Sequence, residues 1–182
     1  MDSGRLVVVS GPSGVGKSTV VGRALELTPQ AWLSVSVTTR APRPGEVDGV
    51  HYRFVDDATF DAMLQGSEFL EWAEFAGRRY GTPKAQVAWQ RGRGRPVVLE
   101  IEVAGARQVR QADPSAFLVF IAPPSLAVLS ARLQARGTES PDAIARRLAI
   151  AERELAAQDA FDQVIVNTDV EQAARALVAS LA

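Results

Sequence analysis

The stretch Gly11-Pro12-Ser13-Gly14-Val15-Gly16-Lys17-Ser18 constrains this chain more than any other. It fits G-x-x-x-x-G-K-[ST] at every fixed position and stands in the setting that pattern requires. The apolar run Leu6–Ser10 before it reads as a strand, and Lys17–Leu27 after it reads as a helix. Glycines allow the loop between them to turn successive backbone N–H groups inward around an anion. The helix start adds unsatisfied N–H groups and the positive end of its dipole. Lys17 then sets a cation against the β- and γ-phosphates of a nucleoside triphosphate, and the Ser18 hydroxyl is a hard oxygen ligand suited to Mg²⁺. The motif fixes a phosphate donor and leaves the acceptor open among GTPases, transport ATPases and nucleotide kinases.

The rest of the chain is consistent with one α/β domain. Its 182 residues suffice for a single core with small appended lobes. Short apolar runs at Leu6–Ser10, Leu33–Val37, Val97–Glu102, Phe117–Ile121 and Val164–Asn167 suit strands buried on both faces of a parallel sheet. Helices are expected at Lys17–Leu27, Asp57–Gln65, Lys84–Arg91, Ser125–Arg136, Pro141–Gln158 and Val170–Leu181. The Pro141 helix is marked by Ser140 as N-cap, Pro141 at the first helical position and Asp142 in the first turn. Ile144, Leu148, Ala151 and Leu155 form its apolar stripe, with Arg146, Arg147 and Arg153 expected on or near the other face. Thr38–Gly49, Gly77–Pro83 and Arg91–Pro96 read as irregular loops from their Gly and Pro content. Ser36–Pro83 therefore looks like an insertion between two core elements.

Bulk charge excludes some partners. The formal net charge is −1, so no overall positive field attracts nucleic acid or an anionic membrane. Bound anions must meet locally placed Arg and Lys. The chain has no cysteine, which excludes disulfides and Cys-based metal sites. With no basic leader ahead of a long apolar run, the expected location is the cytoplasm.

Arg40 and Arg43 lie three apart on a Pro-constrained loop, and Tyr52 follows with a hydroxyl donor. Such a set can converge on one phosphate, although a solvated basic turn looks the same in isolation. The surrounding residues resolve the ambiguity. Ser36 to Val55 reads S-x-T-T-R-x-P-R-x-G-E-x-x-G-x-x-Y-x-F-V, followed by Glu68-Phe69-Leu70-Glu71-Trp72 and Tyr80-Gly81-Thr82-Pro83. Then come Leu99-Glu100-Ile101-Glu102-Val103-Ala104-Gly105, Phe120 to Ser125, Arg136-Gly137-Thr138-Glu139 and Val164-Ile165-Val166-Asn167. Taken with the P-loop, this succession resembles the guanylate kinases over nearly the whole chain.

The resemblance implies the P-loop nucleoside-monophosphate-kinase fold, a parallel sheet core flanked by helices. Its parts would be a core at 1–35, 84–124 and 159–182, a GMP-binding lobe at 36–83 and a helical lid at 125–158. It implies that Gly11, Pro12, Ser13, Gly14, Val15, Gly16, Lys17, Ser18 and Thr19 bind ATP, with Arg136 of the lid and with Asn167 at the adenine end. Arg40, Arg43, Tyr52 and Tyr80 would hold the GMP phosphate, while Ser36, Glu71 and Thr82 face the guanine. Glu102 stands where the family usually has an aspartate that helps hold the guanosine. Lys17, Arg40, Arg43 and the lid arginines Arg132 and Arg147 would carry catalysis. Mg²⁺ would sit on Ser18, steadied by Glu100, directly or through its waters.

The base chemistry agrees. Guanine presents N1–H and N2–H₂ side by side, and one carboxylate can accept both. Hydroxyls of Ser36 or Thr82 can donate to O6. Adenine reverses this pattern and leaves buried polar groups unpaired. Glu100 and Glu102, two apart at the end of a strand, should share a face toward the ligand crevice. Trp72 reads as core, and His51 as an exposed neutral residue. The expected reaction is transfer of the γ-phosphoryl group of Mg·ATP to GMP, giving ADP and GDP. A non-catalytic scaffolding module and a kinase for another monophosphate are the alternatives. GMP and dGMP are not separated by these residues, nor is the oligomeric state fixed.

Overall fold

In the computed structural model, residues 3–75, 77–135 and 141–182 are described. The apolar runs form one five-stranded sheet. Its strands are β1 (Leu6–Ser10), β2 (Trp32–Leu33), β7 (Val97–Glu100), β8 (Phe117–Ala122) and β9 (Gln163–Val166), in the order β2-β7-β1-β8-β9. Every pairing is parallel, with Val8 opposite Leu99 on one side and Leu118 on the other.

The alternation along these strands explains why the sheet is covered on both sides. Val7, Val9, Val98, Val119 and Ile121 enter one apolar cluster, under α1 (Lys17–Leu27) and α7 (Val170–Ala179). Leu6, Val8, Val97, Leu99 and Leu118 enter another, under α3 (Lys84–Gly92) and α4 (Val103–Ala112). Odd and even positions thus bury opposite faces, which is why β1 has no polar residue before Ser10. Among the described residues, no helix is long and apolar enough to cross a membrane.

A second sheet stands beside the first, in the order β4-β3-β6-β5. It comprises β3 (Val37–Thr38), β4 (Arg53–Phe54), β5 (Phe69–Phe75) and β6 (Arg78–Pro83). The helix α2 (Asp57–Gln65) covers it through Phe60 and Met63, packed with Val37 and Phe69. The Asp56 carboxylate caps α2 by accepting from the Thr59 amide at 2.8 Å. Finally, α5 (Leu126–Ala135) and α6 (Pro141–Leu155) pack on each other through Leu129, Leu133 and Ala151.

Several expectations change. Leu33–Val37 is not one strand; Trp32–Leu33 joins the parallel sheet and Val37–Thr38 joins the second. Gly77–Pro83 is not a loop, because Arg78–Pro83 pairs antiparallel with β5. Its breaker residues have structural jobs. The Phe69 ring lies so close to Gly81 that a Cβ there would sit 2.6 Å from it, and Pro83 ends the strand as the cap of α3. The helix α4 has no counterpart in the sequence reading, since Gly105 weakens the helical signal and no cap side chain marks its start. The strand at Val97 stops at Glu100, and Glu102 is the residue that begins α4. The Pro141 helix ends at Leu155, and a short 3₁₀ turn takes Gln158–Ala160. Trp72 is 41% exposed rather than core, its ring meeting Phe60 edge-on at 6.4 Å. His51 is exposed, and its Nδ1 accepts from the Val47 amide at 3.0 Å.

Candidate active site

The carboxyl ends of β1 and β7 open into a cleft of about 430 Å³ that faces the second sheet. This is within the usual size range of small-ligand sites. On its core side lie Pro12, Ser13, Gly14, Gly16, Lys17, Ser18 and Thr19. The opposite wall carries Ser36, Arg40, Arg43, Tyr52, Glu71 and Tyr80, and Glu100, Ile101 and Glu102 complete the floor. Residues distant in sequence thus converge at the end of the parallel strands, where open α/β sheets bind ligands.

The P-loop takes the shape its glycines allow, with positive φ at Gly11, Gly14 and Gly16. The Lys17 ammonium donates to the Gly11 carbonyl, with the Pro12 carbonyl at 3.4 Å, so it lies folded over the loop. Ser18 Oγ donates to Glu100 Oε1 at 2.6 Å. That pair is a hard-oxygen set of the kind Mg²⁺ accepts beside substrate phosphates and waters. Among the described residues, no cluster of three or more His, Cys, Asp or Glu side chains forms a closed metal cage.

The Arg40 part of the opposite wall is built around one carboxylate. The Arg40 guanidinium donates to both Glu46 oxygens, at 2.9 and 2.8 Å, and the Arg43 amide donates to Glu46 Oε2 at 2.7 Å. The Arg40 fork, then the Arg43 amide, pull the Glu46 carboxyl down to about 2, so Glu46 is ionised throughout the physiological range. Arg40 also lies 5.3 Å from the Tyr52 ring centroid, and Tyr52 meets Tyr80 edge-on at 6.0 Å. Burial, before any neighbouring charge, raises the Tyr52 hydroxyl above its ordinary value and keeps it a neutral donor. Glu46 belongs to the quoted motif but its role was missed; a carboxylate six residues after an arginine on a turn was the available signal.

Glu71 is the buried polar anchor of the same wall, 6% exposed. It sits opposite Thr82 in the β5–β6 ladder, and the Thr82 hydroxyl donates to Glu71 Oε1 at 2.6 Å. Burial is the largest influence on its carboxyl and pushes it above the ordinary carboxylate value, with Thr82 acting in the opposite direction. Thr82 is fully buried, does not line the cleft and spends its donor on Glu71. Ser36 lines the cleft, whereas the Thr82 hydroxyl is bonded to Glu71.

The arginines of α5 and α6 divide. Arg132 does not reach the cleft; its guanidinium donates to the Val15 carbonyl at 3.2 Å and the Asn167 carbonyl at 3.0 Å. It ties the back of the P-loop to the end of β9, and the cause is the seat of α5, whose Leu129 and Leu133 lie against Gly14. Asn167 is buried and donates from Nδ2 to the same Val15 carbonyl at 2.8 Å. Gly11 and Val15 likewise support the loop from outside the cleft lining, Val15 with its side chain in the core. Arg147 instead donates to Ser13 Oγ at 2.6 Å, so it faces the P-loop rather than the outer side of α6. Arg136 lies outside the described residues, as do Gly137 to Ser140.

Glu154 joins Arg147 on the P-loop side of α6, a pairing that the seven-residue spacing could have revealed. It faces Glu102 at the start of α4, with Lys17 and the Ser13 amide nearby. Burial first, and the Glu102 charge second, push its carboxyl up to about 7, against the pull of Lys17 and Ser13. A carboxyl raised above its ordinary 4.5 stabilises fully below that value and loses the contribution as pH rises through about 7. Wild-type protein should therefore lose thermal stability relative to Glu154→Gln between about pH 5 and pH 8. Parallel curves would remove Glu154 from this role.

Comparison with known proteins places the chain. The guanylate kinase family model matches residues 3–182. The guanylate kinase of Thermobifida fusca is 59% identical over 178 residues, covering 98% of this chain and 91% of its own length. That of Streptomyces coelicolor is 59% identical over 175 residues, covering 96% and 89%. The crystal structure of guanylate kinase from Anaplasma phagocytophilum superposes with a TM-score of 0.81 at 34% identity, covering 99% of this chain and 85% of that one. A family match from one end of the described chain to the other, on this fold and around this cleft, leaves a plain conclusion: the chain belongs to the guanylate kinase family.

Proposed function

We infer that this protein is an ATP:GMP phosphotransferase, which moves the γ-phosphoryl group of ATP to GMP and releases ADP and GDP. The observation that carries this reading is an intact P-loop facing a buried Glu71 across one cleft. The P-loop supplies a triphosphate site, and Glu71 supplies two acceptor oxygens for the N1–H and N2–H₂ of guanine. A phosphate oxygen of GMP attacks the γ-phosphorus in line, and the bond to the β,γ-bridging oxygen of ATP breaks. No proton need be taken from the attacking group when it is a phosphate dianion, so a base such as His51 is not required.

The protein's task is to hold two polyanions together and neutralise them. We assign Lys17 to the donor phosphates, Arg40, Arg43, Tyr52 and Tyr80 to the acceptor phosphate, and Ser36 and Glu71 to the base. Arg147, held at Ser13, is the described lid arginine that we assign to the transferring group; Arg132 we assign to positioning the P-loop. Mg²⁺ would be held by Ser18 with Glu100 alongside, and would neutralise charge on the β- and γ-phosphates. Glu102 is proposed at the sugar side of GMP, and Asn167 at the adenine end. In this reading 36–83 is the GMP-binding lobe, 125–158 the lid and the remainder the core. The separate sheet over 37–83 supports that division. A cytoplasmic setting belongs to the same proposal, and a cysteine-free chain suits a reducing compartment.

A coupled ADP-release assay with GMP, AMP, CMP and UMP tests the reading. GMP should be the strongly preferred acceptor. Turnover confined to AMP would make this a kinase for another monophosphate. No turnover with any of the four would favour a binding module.

A further inference from the structure

We propose that α4 is a positioning strut for base selection: Gly105 gives Glu71 the clearance it needs, and Gln108 holds the strand that carries it. The proposal rests on Glu71 reading the guanine. It concerns residues behind the cleft wall, which do not themselves meet the nucleotide.

Two observations fix the geometry. A Cβ placed on Gly105 would stand 2.6 Å from Glu71 Oε2 and 3.2 Å from its carboxyl carbon. The same Cβ would meet Ile101 Cδ1 at 3.3 Å, so the space beside the carboxylate is closed on a second side. Gly105 and Gln108 lie three apart in one helix and share a face. The Gln108 side chain accepts from the Trp72 amide at 3.2 Å and donates to the Trp72 carbonyl at 2.8 Å. It therefore satisfies both backbone groups of the residue next to Glu71.

The topology explains why this matters. The strand β5 is an edge of its sheet, with β6 on one side only. Its outer N–H and C=O groups would otherwise face water or another chain. Gln108 takes the place of a missing strand there and sets the distance between α4 and β5. With that distance fixed, a methyl group at Gly105 cannot be relieved by sliding the helix outward, and the Glu71 carboxylate must move. Thr82 anchors the other oxygen at 2.6 Å, so the displacement becomes a rotation of the acceptor pair away from guanine.

Gly105→Ala separates this role from a general structural one, because alanine is the better helix former and Gly105 has no positive φ to relax. The melting temperature should change by less than about 5 °C, since the gain in helix propensity and the crowding oppose each other. The KM for GMP should increase about 10- to 100-fold, the scale set by an ångström-size misplacement in a site of this kind. The KM for ATP should stay within about twofold, since the P-loop lies on the other side of the cleft. The preference for GMP over inosine monophosphate, which lacks the 2-amino group, should fall by about tenfold. Adding Glu71→Asp to Gly105→Ala shortens the side chain by one methylene and should restore part of that preference. Gln108→Leu should raise the KM for GMP in the same direction by a smaller factor.

Unchanged GMP kinetics in Gly105→Ala would overturn the proposal, and so would an equal loss for ATP and GMP. Wild-type protein that is inactive with GMP would instead remove the functional reading on which it rests. Wild-type protein active with GMP beside an unaffected Gly105→Ala removes the strut alone.

Discussion

Lys17→Met should lower kcat by at least about 10³-fold while leaving the affinity for GMP within about threefold of wild type. In the structure its ammonium donates to the Gly11 carbonyl at the opening of the phosphate cradle. A triphosphate entering that cradle brings several negative charges to the place the cation already occupies. In the proposed reaction this ammonium would meet the charge on the transferring phosphoryl group and its leaving oxygen. Methionine keeps the length and much of the apolar stem and removes only the charge. The residues assigned to GMP lie on the far wall, which explains the expected survival of GMP binding. Single-turnover kinetics would give the rate, and calorimetric titration with GMP the affinity. A variant that keeps more than about a tenth of wild-type kcat would take Lys17 out of the chemistry.

Glu71→Gln should reduce kcat/KM for GMP by about 10²- to 10⁴-fold and leave the KM for ATP near its wild-type value. The substitution changes one acceptor oxygen of a side chain only 6% exposed into an NH₂ donor. In the proposed binding mode one of the two guanine donors then faces another donor. A buried polar group left unpaired costs about 1–3 kcal/mol, and more when charge is involved. Thr82 sharpens the result, because its hydroxyl already occupies one oxygen of the carboxylate and limits how the amide can turn. Kinetics with GMP and AMP side by side would measure the loss of selectivity. Equal losses for both acceptors would point to a collapsed wall rather than to base recognition.

The parts of this protein legible in the sequence share one property: they are local. The P-loop is eight consecutive residues between a strand and a helix, and it lies where those residues predicted. The parallel sheet was legible because strands buried on both faces must be apolar at odd and even positions alike, as Leu6–Ser10 is nearly throughout. Local rules also misled. Gly81 and Pro83 read as breakers, yet the first makes room for the Phe69 ring and the second closes a strand. Gly105 concealed a helix whose residues Val103, Ala106 and Val109 are buried.

The sequence alone therefore determined that this chain builds a phosphate cradle on a doubly covered parallel sheet, and its motif order identified the family resemblance. Only the tertiary structure decided what each polar side chain does there. Thr82 lies eleven residues from Glu71 and donates to its carboxylate. Arg132 is used by backbone carbonyls 117 and 35 residues away, while Arg147 reaches Ser13 across 134. Gly105 of α4 stands beside a carboxylate on the second sheet. Hydrophobic period reports which face of an element is buried. It carries no information about which donor on that element meets which acceptor on another, because hydrogen bonds depend on distances and angles that exist only after the elements have packed.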